Sequence, residues 1–213
     1  MSDSITPLGR IVRLQVQTAH LKRGEQPKRW YDPAPITEVA TLRFDEGGVT
    51  GVAVDGTVRH DVHHRDHPLS RNRGDNGISV GFTEHYAAMR LRFGDHLVHG
   101  VAGENILVEC NTIQTEPAPS CRLLIETGNG LVRLEEVIVA PPCVEFARFC
   151  LQWPRDRRPD RIVTDALQFL DGGMRGFYAA FWQDGSEAAE VHVGDMVYRM
   201  AVRSAPKAAR TDT

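Results

Sequence analysis

Cysteine is scarce and scattered in this chain. Its four cysteines, Cys110, Cys121, Cys143 and Cys150, include no Cys-x-x-Cys pair. That spacing excludes a structural zinc site built on thiolates. A bridge between Cys143 and Cys150 is excluded if both lie on one helix. Seven residues rise roughly 10.5 Å at 1.5 Å each, beyond the roughly 7 Å that a disulfide spans between Cα atoms. The first 30 residues lack a charged-then-apolar signal pattern, so a reducing cytoplasmic setting is expected. No apolar run approaches the roughly 18 residues of a membrane span, so no membrane partner is expected. Charge of either sign is not in excess. The formal net charge of −3 offers no general attraction for nucleic acid. There is no internal repeat and no low-complexity tract.

What is present is β-rich. Strands are expected over Gly9–Gln17, Val39–Phe44, Val49–Val54 and Ile106–Val108, then Leu123–Thr127 and Leu131–Val139 around Gly128-Asn129-Gly130, and finally Phe177–Trp182 and Val191–Val202. Asn-Gly between β-rich runs marks a hairpin. Helices are expected over Phe82–Phe93, from Cys143 to about Leu151, and over Ile162–Leu170, with Gly94 and Gly172-Gly173 as stops. Lys22–Pro35 reads as a surface loop anchored by Trp30 and Tyr31, and Gly56–Gly77 as a long loop rich in His, Arg and Asp. Strands grouped at turn-separated intervals, not alternating with helices, predict a mainly β fold, a barrel decorated with short helices. One domain over residues 1–203 is expected, including the strand and loop of 1–47, with 204–213 as a mobile tail.

The most chemically pointed stretch is Ala140-Pro141-Pro142-Cys143. The prolines stiffen the start of a helix, and a thiol there faces unpaired N–H groups that favour thiolate. A second reading stands beside it. Cys143, Ala147, Cys150 and Leu151 form a core-facing stripe, and Glu145 places a carboxylate in the same turn, which opposes thiolate. In the long loop, His60, His63, His64 and His67 with Asp61 and Asp66 could ligate zinc or iron, although their spacing matches no closed site. Arg59, Arg65, Arg71 and Arg73 share that loop and suit an anion such as phosphate, or are a solvated cluster. Tyr86, Met89 and Phe93 are expected in the core, as are Cys110, Cys121 and Cys150.

The order Gly103-Glu104-Asn105-Ile106, Pro142-Cys143, Gly176-Phe177-Tyr178 and Gly194-Asp195 resembles that of the MOSC domain, named for the C-terminal domain of molybdenum cofactor sulfurases. The resemblance runs from about Gly48 to Val202. It implies a MOSC-like barrel that binds a molybdenum-pterin cofactor. Cys143 would be the catalytic residue, as persulfide sulfur carrier or as thiolate ligand to molybdenum. His63, His64, Arg71, Gly103, Glu104 and Asn105 would contact the cofactor. The implied chemistry is sulfur transfer or molybdenum-dependent reduction of N-hydroxylated compounds. The implied partner is a separate pyridoxal-phosphate-dependent cysteine desulfurase or an electron-transfer protein. No pyridoxal-phosphate lysine motif stands in this chain, so no such cofactor is expected on it. The chain departs from the family pattern at Ala140, where an Arg is common, at Arg65-Asp66 in place of glycines, and at Val52 in place of Asp. An alternative follows from those departures: a binding module for a pterin or another phosphorylated ligand, without turnover.

Overall fold

The computed structural model describes residues 4–71, 77–115, 121–182 and 189–201. The expected tail at 204–213 and Arg73 lie outside them. The strands are β1 (Ser4–Gln17), β2 (Lys22–Arg23), β3 (Trp30–Tyr31), β4 (Ile36–Glu38), β5 (Thr41–Asp45), β6 (Gly48–Val52), β7 (Val58–His60), β8 (Ile78–Phe82), β9 (Ile106–Val108), β10 (Cys121–Thr127), β11 (Gly130–Val139), β12 (Phe177–Phe181), β13 (Ala189–His192) and β14 (Met196–Ala201). Three helices join them: α1 (Thr83–Phe93), α2 (Val144–Cys150) and α3 (Arg161–Leu170). None of the helices is long and apolar enough to cross a membrane.

Seven strands close into a barrel in the order β1-β14-β10-β11-β12-β8-β9, with β9 returning to β1. Closure works because β1 is long enough to serve two partners. Its first half pairs with β14, from Ser4 opposite Ala201 to Arg10 opposite Met196, and its second half pairs with β9, with Leu14 opposite Ile106. Gly9 sits at the change of partner, where an added Cβ would run into the Glu109 carbonyl. A second sheet, β13-β5-β6-β7, packs beside the barrel, and β2-β3 forms a small hairpin.

All barrel pairings are antiparallel except β8 with β9. Parallel neighbours need a crossover, and α1 with the 94–105 segment supplies it. That crossover places the Gly103-Glu104-Asn105 turn at the start of β9, beside β8 and beneath α1. The sequence reading differs in several places. It takes Lys22–Pro35 and Gly56–Gly77 as loops, whereas β2 and β3 lie in the first and β7 in the second, and it has no strand at β4. It also has no strand at 78–82, which is β8, and it takes Val191–Val202 as one strand, whereas the Val193-Gly194-Asp195 turn splits it into β13 and β14. These are short runs whose pairing partners are not marked by periodicity along the chain. The expected hairpin is present, with Thr127 paired to Gly130 across Gly128-Asn129.

Two apolar clusters result. One fills the barrel with Ile11, Leu14, Phe44, Val80, Phe82, Ile106, Ile125, Leu134 and Val197. The other lies outside it, where Tyr86, Met89, Phe146, Ala147, Cys150, Val163, Ala166 and Leu170 pack the three helices against Tyr31 and Leu21. The α3 helix shows why it forms where it does. The Asp160 side chain caps it by accepting from Ile162 N–H at 2.8 Å, and Val163, Ala166 and Leu170 turn one face to the core.

His85 on α1 gives the fold an acid sensitivity. It is 1% exposed. Its Nε2 meets the Gln114 carbonyl and N–H at 2.9 and 3.0 Å, while Nδ1 is buried without a partner. A proton there would create an unpaired buried N–H, and burial pushes the imidazole down to about 4 from 6.5. The folded state therefore resists a proton that the unfolded chain accepts. The contribution is fully present above pH 6.5 and is lost as pH falls from 6.5 towards 4, about 3 kcal/mol in all. His85→Gln is expected to flatten urea midpoints across that window. An unchanged pH slope would contradict this.

Candidate functional site

A cavity of about 650 Å³ opens between the barrel and the outer helical cluster. Its walls come from the end of β1 (Gln17), the β2-β3 hairpin (Lys22, Gly24, Arg29, Tyr31), the long loop (His63, Arg71), β8 (Ser79, Val80), the turn before β9 (Gly103, Glu104, Asn105), the start of α2 (Ala140, Pro141, Cys143) and the start of β12 (Arg175, Phe177, Tyr178). Cys143, His63, Arg71, Gly103, Glu104 and Asn105, separated by up to 80 residues of sequence, thus share one cavity.

Cys143 is the N-cap of α2, with φ −116° and ψ 154°. Its carbonyl accepts from Ala147 N–H at 3.0 Å, and its side chain makes no cap hydrogen bond. It is partly buried, whereas Cys110, Cys121 and Cys150 are buried. The core-facing stripe is present: Ala147 and Cys150 are 0% exposed, and Cys143 and Leu151 pack partly buried against the same cluster, with Cys143 also reaching the cavity. Burial pushes the Cys150 thiol up to about 12.

Glu145 is paired, which its position in the sequence does not show. It is 4% exposed and takes an ion pair from Arg29 Nε at 2.6 Å, with Gln26 Nε2 at 3.3 Å. Burial works to raise this carboxyl, but the Arg29 hydrogen bond, backbone bonding and Lys22 outweigh it and hold the group below its ordinary range. The acid in the first turn is thereby neutralised by a cation from the hairpin.

The Gly103-Glu104-Asn105 turn serves two purposes. Asn105 is a brace. Its Oδ1 accepts from the Ser79 N–H and hydroxyl, both at 2.9 Å, and its Nδ2 donates to Asp61 Oδ2 at 3.0 Å and to the Gln15 carbonyl at 3.3 Å. Those bonds tie β8, β1 and the long loop together. Gly103 has φ +86°, and an added Cβ would strike Leu21 and Gln17. Glu104 is 4% exposed. Its Oε2 accepts from the Tyr86 hydroxyl at 3.0 Å, and burial pushes the carboxyl up.

Within the long loop only part of the cluster reaches the cavity. Asp61, 0% exposed, accepts at Oδ1 from His63 N–H at 2.9 Å and from His63 Nδ1 at 2.8 Å. This fixes the ring at the cavity edge. His64 is placed elsewhere. It is 1% exposed, stacks on His60 at 4.1 Å, and its Nε2 lies 3.1 Å from Asp45 Oδ1. Adjacent residues in the loop point to opposite sides, so the His pair does not act as a pair. Arg65 bonds the Glu46 carbonyl and Arg59 lies on exposed β7, which leaves Arg71 to line the cavity. Among the described residues no three His, Cys, Asp or Glu side chains come together to hold a metal ion, so the loop histidines do not assemble a zinc or iron site.

Residues not singled out from sequence complete the site. Arg175 donates to the Tyr178 hydroxyl at 3.2 Å and to the Ala102 carbonyl at 3.3 Å. Its guanidinium sits 5.7 Å from the Phe146 ring. Burial works against its charge, but Tyr178, Tyr31 and Cys143 outweigh it and hold the guanidinium above its ordinary range. A cation is therefore present beside Cys143 although position 140 is Ala. Lys22, Arg29 and Arg71 add to it along the walls. Arg175 directly precedes the Gly176-Phe177-Tyr178 motif, the one signal that points to it; nothing in the hairpin sequence points to Lys22 or Arg29.

No family model matches the chain, and no curated protein matches it. Solved structures do. The YUAD protein from Bacillus subtilis superposes with a TM-score of 0.57 at 15% identity, covering 95% of this chain and 99% of that one. A protein described as hypothetical gives 0.51 at 15% identity over 93% of this chain and 71% of that one. YiiM from Geobacillus stearothermophilus gives 0.41 at 16% identity over 92% and 75%. The chain thus shares the fold of the YUAD protein over 95% of its length.

Proposed function

We propose that this chain is a MOSC-type protein of sulfur and molybdenum-cofactor metabolism, with Cys143 as the reacting group. The observation that carries the reading is the meeting of Cys143 with His63, Glu104 and the cations Lys22, Arg71 and Arg175 in one cavity, where Arg29 is already paired with Glu145. Cys143 is the one cysteine among its lining residues.

In sulfur transfer, the Cys143 thiolate attacks the terminal sulfur of a donor persulfide delivered by a separate cysteine desulfurase. The new S–S bond forms at Sγ, the donor S–S bond breaks, and its electron pair leaves on the donor thiolate, which takes up a proton. The chain's own part is to hold the donor group among its cations and to keep Cys143 open to it. The residues also suit a molybdenum-pterin cofactor. Thiolate is a soft ligand suited to such a metal, and the guanidinium groups suit a phosphate. With no clustered ligand set among the described residues, Cys143 would be the protein ligand and the cofactor would supply the remaining coordination. When bound, the metal would supply two-electron chemistry towards an N-hydroxylated substrate.

The test is direct. After incubation with a cysteine desulfurase and cysteine, intact mass should show a gain of one sulfur that maps to Cys143. In parallel, protein purified from a host that makes the pterin cofactor should be assayed for molybdenum. A sulfur adduct or stoichiometric metal supports the reading. Absence of both overturns it.

A further inference from the structure

Charge is unevenly placed on this chain. Lys22–Asp32 and Trp153–Arg161 together hold eight basic and four acidic residues, in a chain of net charge −3. Folding brings these two segments side by side. The Arg155 guanidinium lies over the Trp30 ring of β3, 4.5 Å from its centre. The Trp30 ring in turn lies on Gly24, where an added Cβ would strike it. Gly24, Lys22 and Arg29 line the cavity that holds Cys143. A basic face therefore runs from the cavity rim, across the hairpin, to the connector between α2 and α3.

The connector is held in shape from beneath. Arg148 on α2, 7% exposed, donates from Nη2 to the Pro154 and Arg155 carbonyls at 2.8 and 2.9 Å, and Trp153 Nε1 donates to the Arg157 carbonyl at 3.3 Å. The side chains of Arg155, Arg157 and Arg158 are exposed. The Arg157 guanidinium lies 4.1 Å from the centre of the Trp153 ring and pairs with Asp160 at 2.8 Å. A guanidinium over an aromatic ring uses no hydrogen bond there, so its donors stay available to a carboxylate, and its restricted motion lowers the entropy cost of docking. Lys22, Lys28, Arg155 and Arg158 belong to none of the ion pairs formed among the described residues.

We propose that this face docks an acidic surface of the protein that delivers sulfur to Cys143. The partner's identity rests on the sulfur-transfer reading above; the surface itself rests on charge and geometry. Trp and Arg dominate the hot spots of protein–protein interfaces, and two Arg–Trp pairs stand here beside the cavity rim. A nucleic acid fits less well. Glu25, Asp156 and Asp160 interleave with the cations, and outside the two segments the chain is net acidic, so an extended polyanion would meet repulsion beyond the patch. A compact cluster of Asp and Glu can seat on the four unpaired cations.

The test uses the full chain, with the cysteine desulfurases of the source organism as protein donors and 2-hydroxyethyl persulfide as a small donor that needs no docking face. The triple variant Lys28→Glu, Arg155→Glu, Arg158→Glu leaves every cavity residue in place. Loading of Cys143 by the desulfurase, followed by intact mass at low ionic strength, should slow about tenfold or more in this variant, while small-donor loading stays within about twofold. Added salt should slow the wild type towards the variant, because charges are screened beyond about 10 Å at 0.1 M. Circular dichroism checks each fold. The double variant Lys28→Glu, Arg158→Glu keeps the Arg155–Trp30 contact, carries the test if the triple variant misfolds, and should slow about threefold or more. Arg59→Glu, Arg133→Glu, Arg199→Glu makes the same change of net charge on strands outside the face and should load at close to the wild-type rate. Four results would each overturn the docking proposal: unchanged desulfurase loading in a folded variant, equal slowing with both donors, equal slowing by both sets of charge reversals, or loading by the small persulfide and by no desulfurase. Loading by neither donor overturns the sulfur-transfer reading, and the docking proposal with it.

Discussion

Cys143→Ser is expected to abolish both the sulfur adduct and any molybdenum retention while leaving the fold intact. The separation follows from where the side chain sits. Cys143 is the N-cap of α2 and its thiol makes no cap hydrogen bond, so removing sulfur breaks no cap. Serine is among the preferred N-cap residues, and its hydroxyl can accept from the N–H groups that the thiol leaves unused, a gain of about 0.5–1 kcal/mol. Chemistry and stability therefore move in opposite directions. A hydroxyl is a far weaker nucleophile than a thiolate and does not form a persulfide. The measurements are intact mass after desulfurase treatment, metal content, and a urea midpoint. Retention of an added sulfur would show that the reactive thiol is another cysteine. An unfolding free energy lowered by about 2 kcal/mol or more would return Cys143 to the core reading.

Asp61→Asn is expected to destabilise the protein by about 3–5 kcal/mol and to loosen His63 from the cavity wall. The carboxylate is fully buried and accepts four hydrogen bonds: Gln17 N–H at 2.7 Å, Asn105 Nδ2 at 3.0 Å, His63 N–H at 2.9 Å and His63 Nδ1 at 2.8 Å. Three of the partners, Gln17 N–H, Asn105 Nδ2 and His63 N–H, are obligate donors. An amide replaces one acceptor oxygen with an NH2 group: turned towards Gln17 and Asn105 it loses two bonds, and turned towards His63 it faces the backbone N–H and keeps the ring only if the imidazole changes tautomer. The damage is not local to the loop. Through Asn105 the same carboxylate braces β1, β8 and the turn that carries Glu104, so the cavity should widen as stability falls. Urea unfolding gives the stability change, and the yield of the sulfur adduct on Cys143 after desulfurase treatment gives the change at the site. A loss under about 1 kcal/mol would mean that water or a shifted side chain replaces the missing acceptor.

The two predictions address different kinds of information in the chain. Pro142-Cys143 is legible because local chemistry marks it: prolines, a helix start and a thiol are neighbours in sequence. The Gly103-Glu104-Asn105 turn is legible for the same reason, although its members divide their work, with Asn105 saturated by scaffold bonds and Glu104 left with an oxygen unpaired. Asp61 stands in the polar loop as one acid among several. What distinguishes it is that the backbone of β1 and the amide of Asn105 converge on it, across 44 residues of sequence in each direction.

The same contrast explains the cations. Ala140 leaves the thiol without a nearby Arg in the sequence, and Glu145 adds an acid to its first turn. Arg175 reaches into the cavity from the start of β12, and Arg29 pairs with Glu145 from the β2-β3 hairpin, two placements that the local sequence does not show. His64 shows the converse. Its neighbour His63 reaches the cavity, but the backbone turns His64 onto Asp45, and proximity in sequence does not become proximity in function.

By itself the amino-acid sequence determined what local forces control: the mainly β character, the hairpin at Gly128-Asn129, the three helices and their ends, and the thiol placed at a helix start. Turn chemistry, capping and side-chain periodicity act over a few residues, so they can be read along the chain. Folding alone decides that β1 closes the barrel by changing partners, that β8 exists, that Arg175, Arg29 and Lys22 line one cavity with Cys143, and that Asp61 holds His63 and Asn105 from behind it. Those relations rest on hydrogen bonds and charges acting through space between residues far apart in sequence, where strength depends on distance and burial, and neither is set until the chain has folded.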